Sequence, residues 1–312
     1  MTVLGLDTSN YTTSVALFDG QDGCNVGKLL EVKPGELGLR QSDALFQHVR
    51  RLPGLMEQLK QRRELTGLRA VGASTRPRDL EQSYMPCFLA GTSQGQALAC
   101  ALGVPFFPCS HQQGHLAAAA WSAGRLDLLD RPFLAWHLSG GTTELLLAEP
   151  EGHSVKAAIL GGTRDISAGQ LIDRTGVLLG LNFPAGKALD ALYREGIPEA
   201  PFRVRLDGLE FSLSGMENKV KAMVEAGKAP EQVARFALDT VADVVARTTK
   251  AALERYPGLS VLCSGGVASN SRLRQVLTER CGAVFALPEY STDNAMGVAI
   301  LTHRALCAQE EL

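Results

Sequence analysis

Apolar residues in this chain occur both as short runs and as longer amphipathic stretches, which is typical of an α/β protein. Residues 133–148 form an apolar run, a Ser-Gly-Gly-Thr-Thr turn and a second apolar run, a pattern that predicts two strands joined by a tight turn. Residues 4–18 repeat it at a constant offset, with Ser9 aligned on Ser139 and the paired threonines coinciding. The repeat predicts two similar α/β lobes with a ligand in the cleft between them.

The remainder of the first half predicts alternating strands and helices. We expect a third strand over 28–32, an amphipathic helix over 41–62 that Pro53 kinks or breaks, strands over 68–73 and 104–107, and helices over 90–102 and 111–121. An acidic segment over 126–132 that ends in proline predicts a lobe boundary. The N-terminal lobe would therefore span residues 1–125 and the C-terminal lobe residues 126–312.

The second half begins with the repeated hairpin and a third strand over 153–160. The strand pattern then disappears, and residues 165–226 predict a helical insertion. Further on we expect a helix over 230–256, a strand over 259–263, a helix from about Asn270, a strand over 284–287 and a last helix over 293–308. This last helix would pack back on the N-terminal lobe.

Composition places few limits on function. A chain of 312 residues is long enough for two domains, and 45% apolar residues with 21% charged ones are those of an ordinary globular protein. The net charge of −2 gives no sign of a polyanionic partner, although it leaves a local basic face open.

The sequence also predicts the compartment. The N-terminal residues lack a signal-type pattern, and no apolar run approaches the roughly 20 residues of a membrane helix, so we expect a cytoplasmic protein without a membrane partner. Seven cysteines without a CxxC pair predict reduced thiols rather than a disulfide scaffold or a zinc knuckle.

Two histidines are candidate metal ligands. His111 and His115 lie four residues apart, so on a helix both imidazoles project from one face. A structural or capping role is the alternative. Asp293, near the start of the last helix, is a candidate third ligand or an N-cap. Gln112 stands where a metallopeptidase of the HExxH type has its glutamate base, which counts against peptidase activity.

Three turns could bind an anion through backbone amides. They lie at Ser9–Thr12, Ser139–Thr142 and Ser264–Gly266, and the third leads into a helix. Together they predict nucleotide binding, although the chain has neither a P-loop nor a dinucleotide motif. The acidic candidates near the phosphates are Asp7, Asp165, Asp173 and Asp190, and each could instead be a cap or a surface charge.

Taken together, these motifs resemble the TsaD (Gcp) family, the tRNA N6-threonylcarbamoyladenosine transferases once called glycoprotein endopeptidases. The resemblance covers essentially the whole chain and rests on the order of LGLDTS, HQQGH, SGGTT, DISAGQLIDRTGVLLGLNFPAGKALD, FSLSG, SGGVASN and STDN. It implies an actin-like (ASKHA) fold of two ribonuclease-H-type lobes. It also implies ATP, AMP or threonylcarbamoyl-AMP as the ligand in the cleft.

The resemblance also implies roles for individual residues. An iron or zinc ion would be held by His111, His115 and Asp293. The metal would polarise the threonylcarbamoyl group while an adenosine N6 amine beside the anticodon attacks its carbonyl. Asp7 and Thr12 are the only catalytic candidates that we name. The predicted nucleotide contacts are His137, Leu138, Ser139, Gly140, Gly141, Asp173, Gly186, Asp190 and Asn270, joined by Gly265 and Gly266 of the third turn.

Three motifs depart from the family pattern. The acidic pair of TSCDET is absent from Thr8-Ser9-Asn10-Tyr11-Thr12-Thr13, Glu217 replaces a lysine of FSFSGLKT, and the glycines of TGPGL are replaced over residues 75–80. The metal and nucleotide positions match, whereas positions expected to act on the acceptor differ. We therefore expect a divergent paralog whose acceptor substrate the sequence does not identify.

Two functions follow as expectations. The first is a metal- and nucleotide-dependent threonylcarbamoyl-type transferase that acts on tRNA or on another amine. The second is a non-catalytic nucleotide-binding scaffold in a tRNA-modification complex. A sugar kinase with this fold would gain nothing from the histidine pair. The candidate partners are an adenine nucleotide, tRNA, an actin-fold subunit and a second copy of the chain.

Overall fold

The chain folds into two compact units. The computed structural model of the chain describes residues 1–32, 39–195 and 201–310. Unit 1 comprises Met1–Arg131, Glu149–Ala157 and Thr292–Leu312, and unit 2 comprises Pro132–Ala148 and Ala158–Ser291. None of the helices in the described ranges has the length and apolar character needed to cross a lipid bilayer.

Unit 1 is built on a mixed sheet. Its described strands are β1 (Val3–Thr8), β2 (Thr12–Phe18), β3 (Gly23–Leu29), β4 (Ala70–Arg76) and β5 (Phe106–Ser110), in the order β3-β2-β1-β4-β5. The first three strands pair antiparallel, whereas β4 runs parallel to both β1 and β5. Its helices are α1 (Gln41–Arg62), α2 (Leu89–Leu102), α3 (His111–Ser122) and α9 (Met296–Glu310).

Helix α1 shows how the apolar pattern selects a buried face. Its buried residues, Ala44, His48, Leu52, Leu55 and Leu59, recur every three or four positions and form one stripe. Of the two effects predicted for Pro53, a kink or a break, the break is wrong, because α1 continues through this residue. Val49, four residues earlier, is 48% exposed, so this turn of the helix lies on the surface rather than in the core.

Helix α9 packs against the sheet of unit 1 through glycines. Gly5 of β1 and Gly72 of β4 are paired in register. A Cβ atom on Gly5 would lie 2.5 Å from the Ala299 nitrogen, and one on Gly72 would lie 1.9 Å from Thr302 Oγ1. These two strands therefore need glycine where the helix crosses them, and the close approach fixes the start of α9.

Unit 2 contains the larger sheet except for residues 149–157, which belong to unit 1. Its described strands are β6 (Phe133–Leu138), β7 (Thr143–Glu151), β8 (Ser154–Thr163), β9 (Leu206–Asp207), β10 (Glu210–Phe211), β11 (Ser260–Ser264) and β12 (Val284–Phe285), in the order β12-β11-β6-β7-β8-β10-β9. Its helices are α4 (Ala168–Leu178), α5 (Gly186–Glu195), α6 (Ser214–Glu225), α7 (Pro230–Arg255) and α8 (Ser271–Cys281). Trp136 of β6 is fully buried in the core of this unit.

The predicted repeat of the opening hairpin is confirmed at the level of register. Leu4 pairs with Leu17 and Thr8 with Thr13 in the first hairpin. In the second, Leu134 pairs with Leu147 and Leu138 with Thr143, which are the same positions at the offset seen in the sequence. The order β8-β7-β6-β11-β12 also repeats the order β3-β2-β1-β4-β5. Both units are therefore built on the same plan.

Several predicted boundaries were wrong. The third strand runs over Gly23–Leu29 rather than 28–32. Asp19 causes this shift, because its carboxylate accepts hydrogen bonds from the nitrogens of Gln21 and Asp22 and closes a tight turn that starts β3 early. The expected helical insertion over 165–226 contains α4, α5 and α6 but also the short strands β9 and β10, while residues 196–200 lie outside the described part.

Candidate functional site

The first candidate site lies in unit 1, where α3 begins. Ser110 caps this helix: its Oγ accepts from the Gln113 nitrogen, and the Gln113 side chain accepts from the Ser110 nitrogen. This capping box makes His111 the first residue of the helix. Gly114 lies against α9, since a Cβ atom on Gly297 would be 1.7 Å from the Gly114 oxygen. The close crossing brings the residues before α9 towards the histidines.

The three predicted metal ligands lie together. The Nε2 atoms of His111 and His115 are 2.9 Å apart. One carboxylate oxygen of Asp293 lies 3.4 Å from the first of these nitrogens and 3.3 Å from the second. Of the described residues, only these three form a group of histidine, cysteine or acidic side chains with ligand atoms this close.

The alternative role of Asp293 as a helix cap is not observed. Helix α9 begins at Met296, three residues later than Asp293, and Asn294 Oδ1 accepts a hydrogen bond from the Met296 nitrogen. The cap is therefore supplied by Asn294. The Asp293 carboxylate is left to face the two imidazoles.

Asp7 is a further member of this site, and its contact with a ligand was not predicted. It is fully buried on β1, and its Oδ1 lies 2.9 Å from Nδ1 of His111. The Ser74 hydroxyl donates to the same oxygen. A histidine held at Nδ1 by a carboxylate directs Nε2 towards a metal, which is the usual arrangement around metal-ligating imidazoles. No sequence signal connects Asp7 with His111, because they are 104 residues apart.

The electrostatics of this cluster favour a positive charge. Burial alone would lower the pKa of His111, but the neighbouring charge of Asp7 and the hydrogen bonds to Asp293 and Asp7 outweigh it and raise this pKa to about 10. Burial raises the pKa of Asp293 less than the two histidines depress it, so its pKa falls well below the usual range. Both carboxylates are therefore ionised around the imidazoles.

The cluster has the dimensions of a metal site. Nitrogen and oxygen ligands lie about 2.1 Å from zinc, so two atoms bound to one ion are at most about 4.2 Å apart. All three distances between the ligand atoms are shorter than this limit. In addition, Asp7 Oδ2 is buried without a hydrogen-bond partner among the described residues. Two imidazoles and a carboxylate suit iron or zinc equally, so the donor set leaves the metal open.

A second candidate site lies in unit 2, around the repeated glycine turn. It is a pocket of about 400 Å³ where the turn after β6, the first residues of α4 and α5, and the turn before α8 meet. This volume is within the range of small-molecule sites. Of the predicted nucleotide contacts, six line it: Gly140, Asp173, Gly186, Asp190, Gly266 and Asn270.

The turn itself is held rigidly against α4. The Ser139 nitrogen donates to the Thr142 oxygen, and the Thr142 nitrogen donates to the Ser139 hydroxyl. Ser167, the N-cap of α4, donates its hydroxyl hydrogen to the Gly140 oxygen at 2.6 Å. A Cβ atom on Gly169 would lie 2.4 Å from the Ser139 oxygen, so only glycine allows this contact. The first amides of α4 are largely used within the protein, since the Ala168 nitrogen donates to Thr143 Oγ1 and the Gln170 nitrogen to Ser167 Oγ.

The other side of the pocket is organised by Asp190. Its Oδ1 accepts hydrogen bonds from Asn270 Nδ2 and from the nitrogen and hydroxyl of Ser271. Asn270 in turn caps α8 by accepting from the Leu273 nitrogen. Both predicted contacts therefore line the pocket and also fix the start of α8.

The remaining predicted nucleotide contacts do not line the pocket. Leu138 is fully buried, and Gly265, with a φ angle of +95°, packs on its backbone. His137, Ser139 and Gly141 lie beside or within the turn, outside the lining residues. The pocket also contains Lys187, a cation that sequence reasoning missed. Its position directly after Gly186 at the start of a helix was the available signal.

Two other predicted residues are placed away from the pocket. Thr12, a catalytic candidate, is 7% exposed on β2. Asp165 accepts hydrogen bonds from Ser212 Oγ and from the nitrogens of Leu213 and Ser214, at the start of α6. Burial opposes these bonds, yet they lower the pKa of Asp165 to about 2. Asp165 therefore has the capping role that was its alternative.

Comparison with known proteins agrees with the family that the motifs predicted. The model of the family described as TsaD, tRNA N6-adenosine threonylcarbamoyltransferase, matches residues 42–300. This segment contains both histidines, the carboxylate of the metal cluster and the whole turn pocket.

Solved structures show the fold. Component A of the (R)-2-hydroxyglutaryl-CoA dehydratase of Acidaminococcus fermentans is similar with a TM-score of 0.56 and 15% identity, over 98% of this chain and 99% of that one. The activator of the 2-hydroxyisocaproyl-CoA dehydratase from Clostridium difficile with bound ADPNP gives 0.53 and 11%, over 100% and 98%. Full-length HypF in the phosphate- and nucleotide-bound form gives 0.62 and 11%, over 98% and 55%. The expected actin-like (ASKHA) α/β fold is thereby confirmed.

Proposed function

Because the chain belongs to the TsaD family, we propose that it is a metal- and nucleotide-dependent transferase that moves a threonylcarbamoyl group from threonylcarbamoyl-AMP to N6 of an adenosine beside the tRNA anticodon. Family membership supports a transferase of this general type. The observation that carries the specific proposal is the cluster of His111, His115 and Asp293, in which one Asp293 oxygen lies 3.4 and 3.3 Å from the two Nε2 atoms. A protein that served only as a scaffold would gain nothing from such a cluster.

The turn pocket is the proposed site for the adenylate. Its volume of about 400 Å³ suits a nucleoside monophosphate, and the lining glycines Gly140, Gly169, Gly186 and Gly266 let a phosphate approach the backbone closely. Lys187 would add a positive charge beside them. Bound nucleotide in two solved structures of the same fold supports this use of the pocket, although it is known for those proteins alone.

The metal cluster is the proposed site of acyl activation. A divalent ion bound there would act as a Lewis acid towards a carbonyl oxygen. In this proposal His111 and His115 hold the ion through Nε2, and Asp293 supplies a carboxylate oxygen. Asp7 does not touch the ion but keeps Nδ1 of His111 protonated and its ring in place.

One observation favours the scaffold as a second candidate function. The first turn contains no acidic residue at the positions where the family carries an acidic pair. Asn10 Oδ1 instead accepts a hydrogen bond from Gln41 Nε2, and Tyr11 is 45% exposed. If those acids are needed for the transfer to tRNA, the chain would bind nucleotide without transferring the group, or would use another amine as the acceptor.

A transfer assay together with metal analysis tests the proposal. The purified protein would be analysed for bound metal and incubated with threonylcarbamoyl-AMP and unmodified tRNA, followed by mass spectrometry of the nucleosides. We expect His115→Ala and Asp293→Ala to lose both metal and product. His303→Ala, which changes a histidine of α9 outside the cluster, is the matched control.

The outcomes separate the two functions. Modified adenosine that appears with the unaltered protein and the control, but not with the cluster variants, supports the transferase. Nucleotide binding without metal or product supports the scaffold. Product formation that survives loss of the metal contradicts the role of the cluster.

A further inference from the structure

Unit 1 contains a pocket that is separate from both the metal cluster and the turn pocket of unit 2. It has a volume of about 200 Å³, and its polar lining includes Arg76, Asp79, Gln113, Glu151 and Ser154. We call it the Arg76–Ser154 pocket. Gln113 lies two residues from each metal-cluster histidine, and a helix turns by about 200° over two residues. The pocket therefore lies on the side of α3 that faces away from the metal cluster.

Two hydrogen-bond donors on residues that line this pocket have no partner in the described part of the chain. Ser154 is only 9% exposed, and its hydroxyl meets no donor or acceptor within the described residues. The same holds for Nε of Arg76, which is also buried. Buried polar groups normally find partners, and leaving one without a partner costs free energy. Two such donors in one pocket indicate that a ligand with acceptor oxygens completes it.

The pocket also contains fixed negative charge. Asp79 forms an ion pair with Arg76 and receives a hydrogen bond from Gln113 Nε2. The same Gln113 nitrogen donates to the Val155 oxygen at 3.0 Å, and the Gln113 oxygen accepts from the Ser110 nitrogen. Gln113 is therefore locked, and it holds Asp79 in place. With Glu151, the lining offers two carboxylates as well as one guanidinium.

The loop that departs from the family pattern builds much of this pocket. Arg76 and Asp79 both lie in the segment that replaces the glycine-rich TGPGL motif. The register between β4 and β5 shifts between Ser74 and Arg76, so the strand is irregular where Arg76 leaves the sheet. The TGPGL motif has no charged side chain that could take the place of the Arg76 guanidinium or the Asp79 carboxylate.

We propose that the Arg76–Ser154 pocket binds a small zwitterion of the class of free α-amino acids. Its carboxylate accepts hydrogen bonds from Arg76 Nε and the Ser154 hydroxyl, and its ammonium group donates to Asp79 and Glu151. Phe107 and Leu301, which also line the pocket, contact its carbon atoms. A simple anion would leave the two carboxylates facing a like charge, and a nucleotide exceeds the volume.

The test compares L-alanine, which is a zwitterion, with propionate and ethylamine, which each carry only one of its two charged groups. L-alanine, propionate and ethylamine would be titrated into the full chain, with binding followed by calorimetry or ligand-observed NMR. We expect L-alanine to bind at least tenfold more tightly than either propionate or ethylamine. Equal binding of propionate and L-alanine would reduce the pocket to an anion site and overturn the proposal, as would no binding of L-alanine at tens of millimolar.

Variants locate the binding within the molecule. Ser154→Ala and Arg76→Gln are expected to weaken L-alanine binding at least tenfold, and Glu151→Gln to weaken L-alanine but not propionate. Arg69→Gln is the matched control, because Arg69 lies directly before β4 in an exposed ion pair with Glu310. L-alanine binding that survives both Ser154→Ala and Arg76→Gln would contradict the assignment.

Ser154→Ala also separates binding from folding. Because its hydroxyl has no partner among the described residues, removing it is expected to leave the thermal stability unchanged or slightly higher. Weaker binding with an unchanged melting temperature supports the ligand role. A lower melting temperature would instead show that this hydroxyl bonds within the protein, which overturns the assignment.

Discussion

Asp7→Asn tests whether the buried carboxylate positions His111 for metal binding. The asparagine has nearly the same shape and can still present an oxygen to Nδ1 of His111, but it carries no charge. The change leaves all three proposed ligands in place. Any loss of metal affinity therefore reports on the carboxylate behind the histidine rather than on a missing ligand.

The expected loss follows from the contacts of Asp7. Among the described residues, His111 is its charged hydrogen-bond partner, at 2.9 Å, and the carboxylate is fully buried. Removing such a partner typically weakens metal binding 10- to 100-fold, or about 1.4 to 2.7 kcal/mol. The Asp7 charge also favours protonation of His111, which competes with metal binding. Metal affinity should nevertheless fall in Asp7→Asn, because the same negative charge stabilises a divalent ion about twice as much as a proton.

Competition titration with a chromogenic chelator and zinc measures this loss. Asp239→Asn serves as the matched control, because Asp239 is also a buried carboxylate in an ion pair, with Arg272 of unit 2. Thermal unfolding without metal shows whether the fold survives. Zinc affinity that is unchanged in Asp7→Asn but lost in Asp293→Asn would refute the positioning role, and an equal loss in Asp239→Asn would show a nonspecific effect.

Three further predictions concern the turn pocket and the two cores. Gly169→Ala should weaken AMP binding at least tenfold in calorimetry, because the added Cβ would lie 2.4 Å from the Ser139 oxygen. Gly215→Ala is the control, since a Cβ there would meet open space. Equal AMP affinities of the two variants would contradict the role of this packing contact. Burial lowers the pKa of His48 from 6.5 to about 4, so the unfolded chain binds the proton first. The free energy of unfolding should therefore fall by about 2 to 3 kcal/mol as the pH drops from 6.5 to 4, and urea titrations should find a smaller slope in His48→Gln. Thr249→Val removes the hydroxyl that accepts a hydrogen bond from Trp136 Nε1 at 2.8 Å, so the free energy of unfolding measured by chemical denaturation should fall by about 1 to 3 kcal/mol. Thr248→Val should lower it less, because the Thr248 hydroxyl donates to the Val244 oxygen of its own helix.

Local patterns made the repeated hairpins predictable. Two apolar runs joined by a short turn fix the strand register locally, which explains why the sequence offset reappears in the paired residues of both hairpins. The start of α3 was predictable for the same reason, since Ser110 and Gln113 form their capping box within four residues.

Strand edges and helix ends were harder to predict where distant contacts decide them. The start of β3 is a different case, because it depends on a local side-chain turn at Asp19 that the apolar pattern does not reveal. The continuation of α1 past Pro53 is likewise not visible in the apolar pattern. The strands β9 and β10 have two residues each, too few to show a period. They exist because they extend the edge of a sheet already formed by β8.

The sequence by itself determined the α/β class, the duplicated hairpin, the family and the histidine pair on one helix face, because each of these depends on residues close together in the chain or on motif order. The tertiary structure decided which of two roles Asp293 has, since Asn294 takes the cap and the Asp293 carboxylate lies 3.4 and 3.3 Å from the two imidazoles. It also joined Asp7 to His111 and formed the Arg76–Ser154 pocket. These contacts depend on close packing between distant segments, which no local pattern encodes.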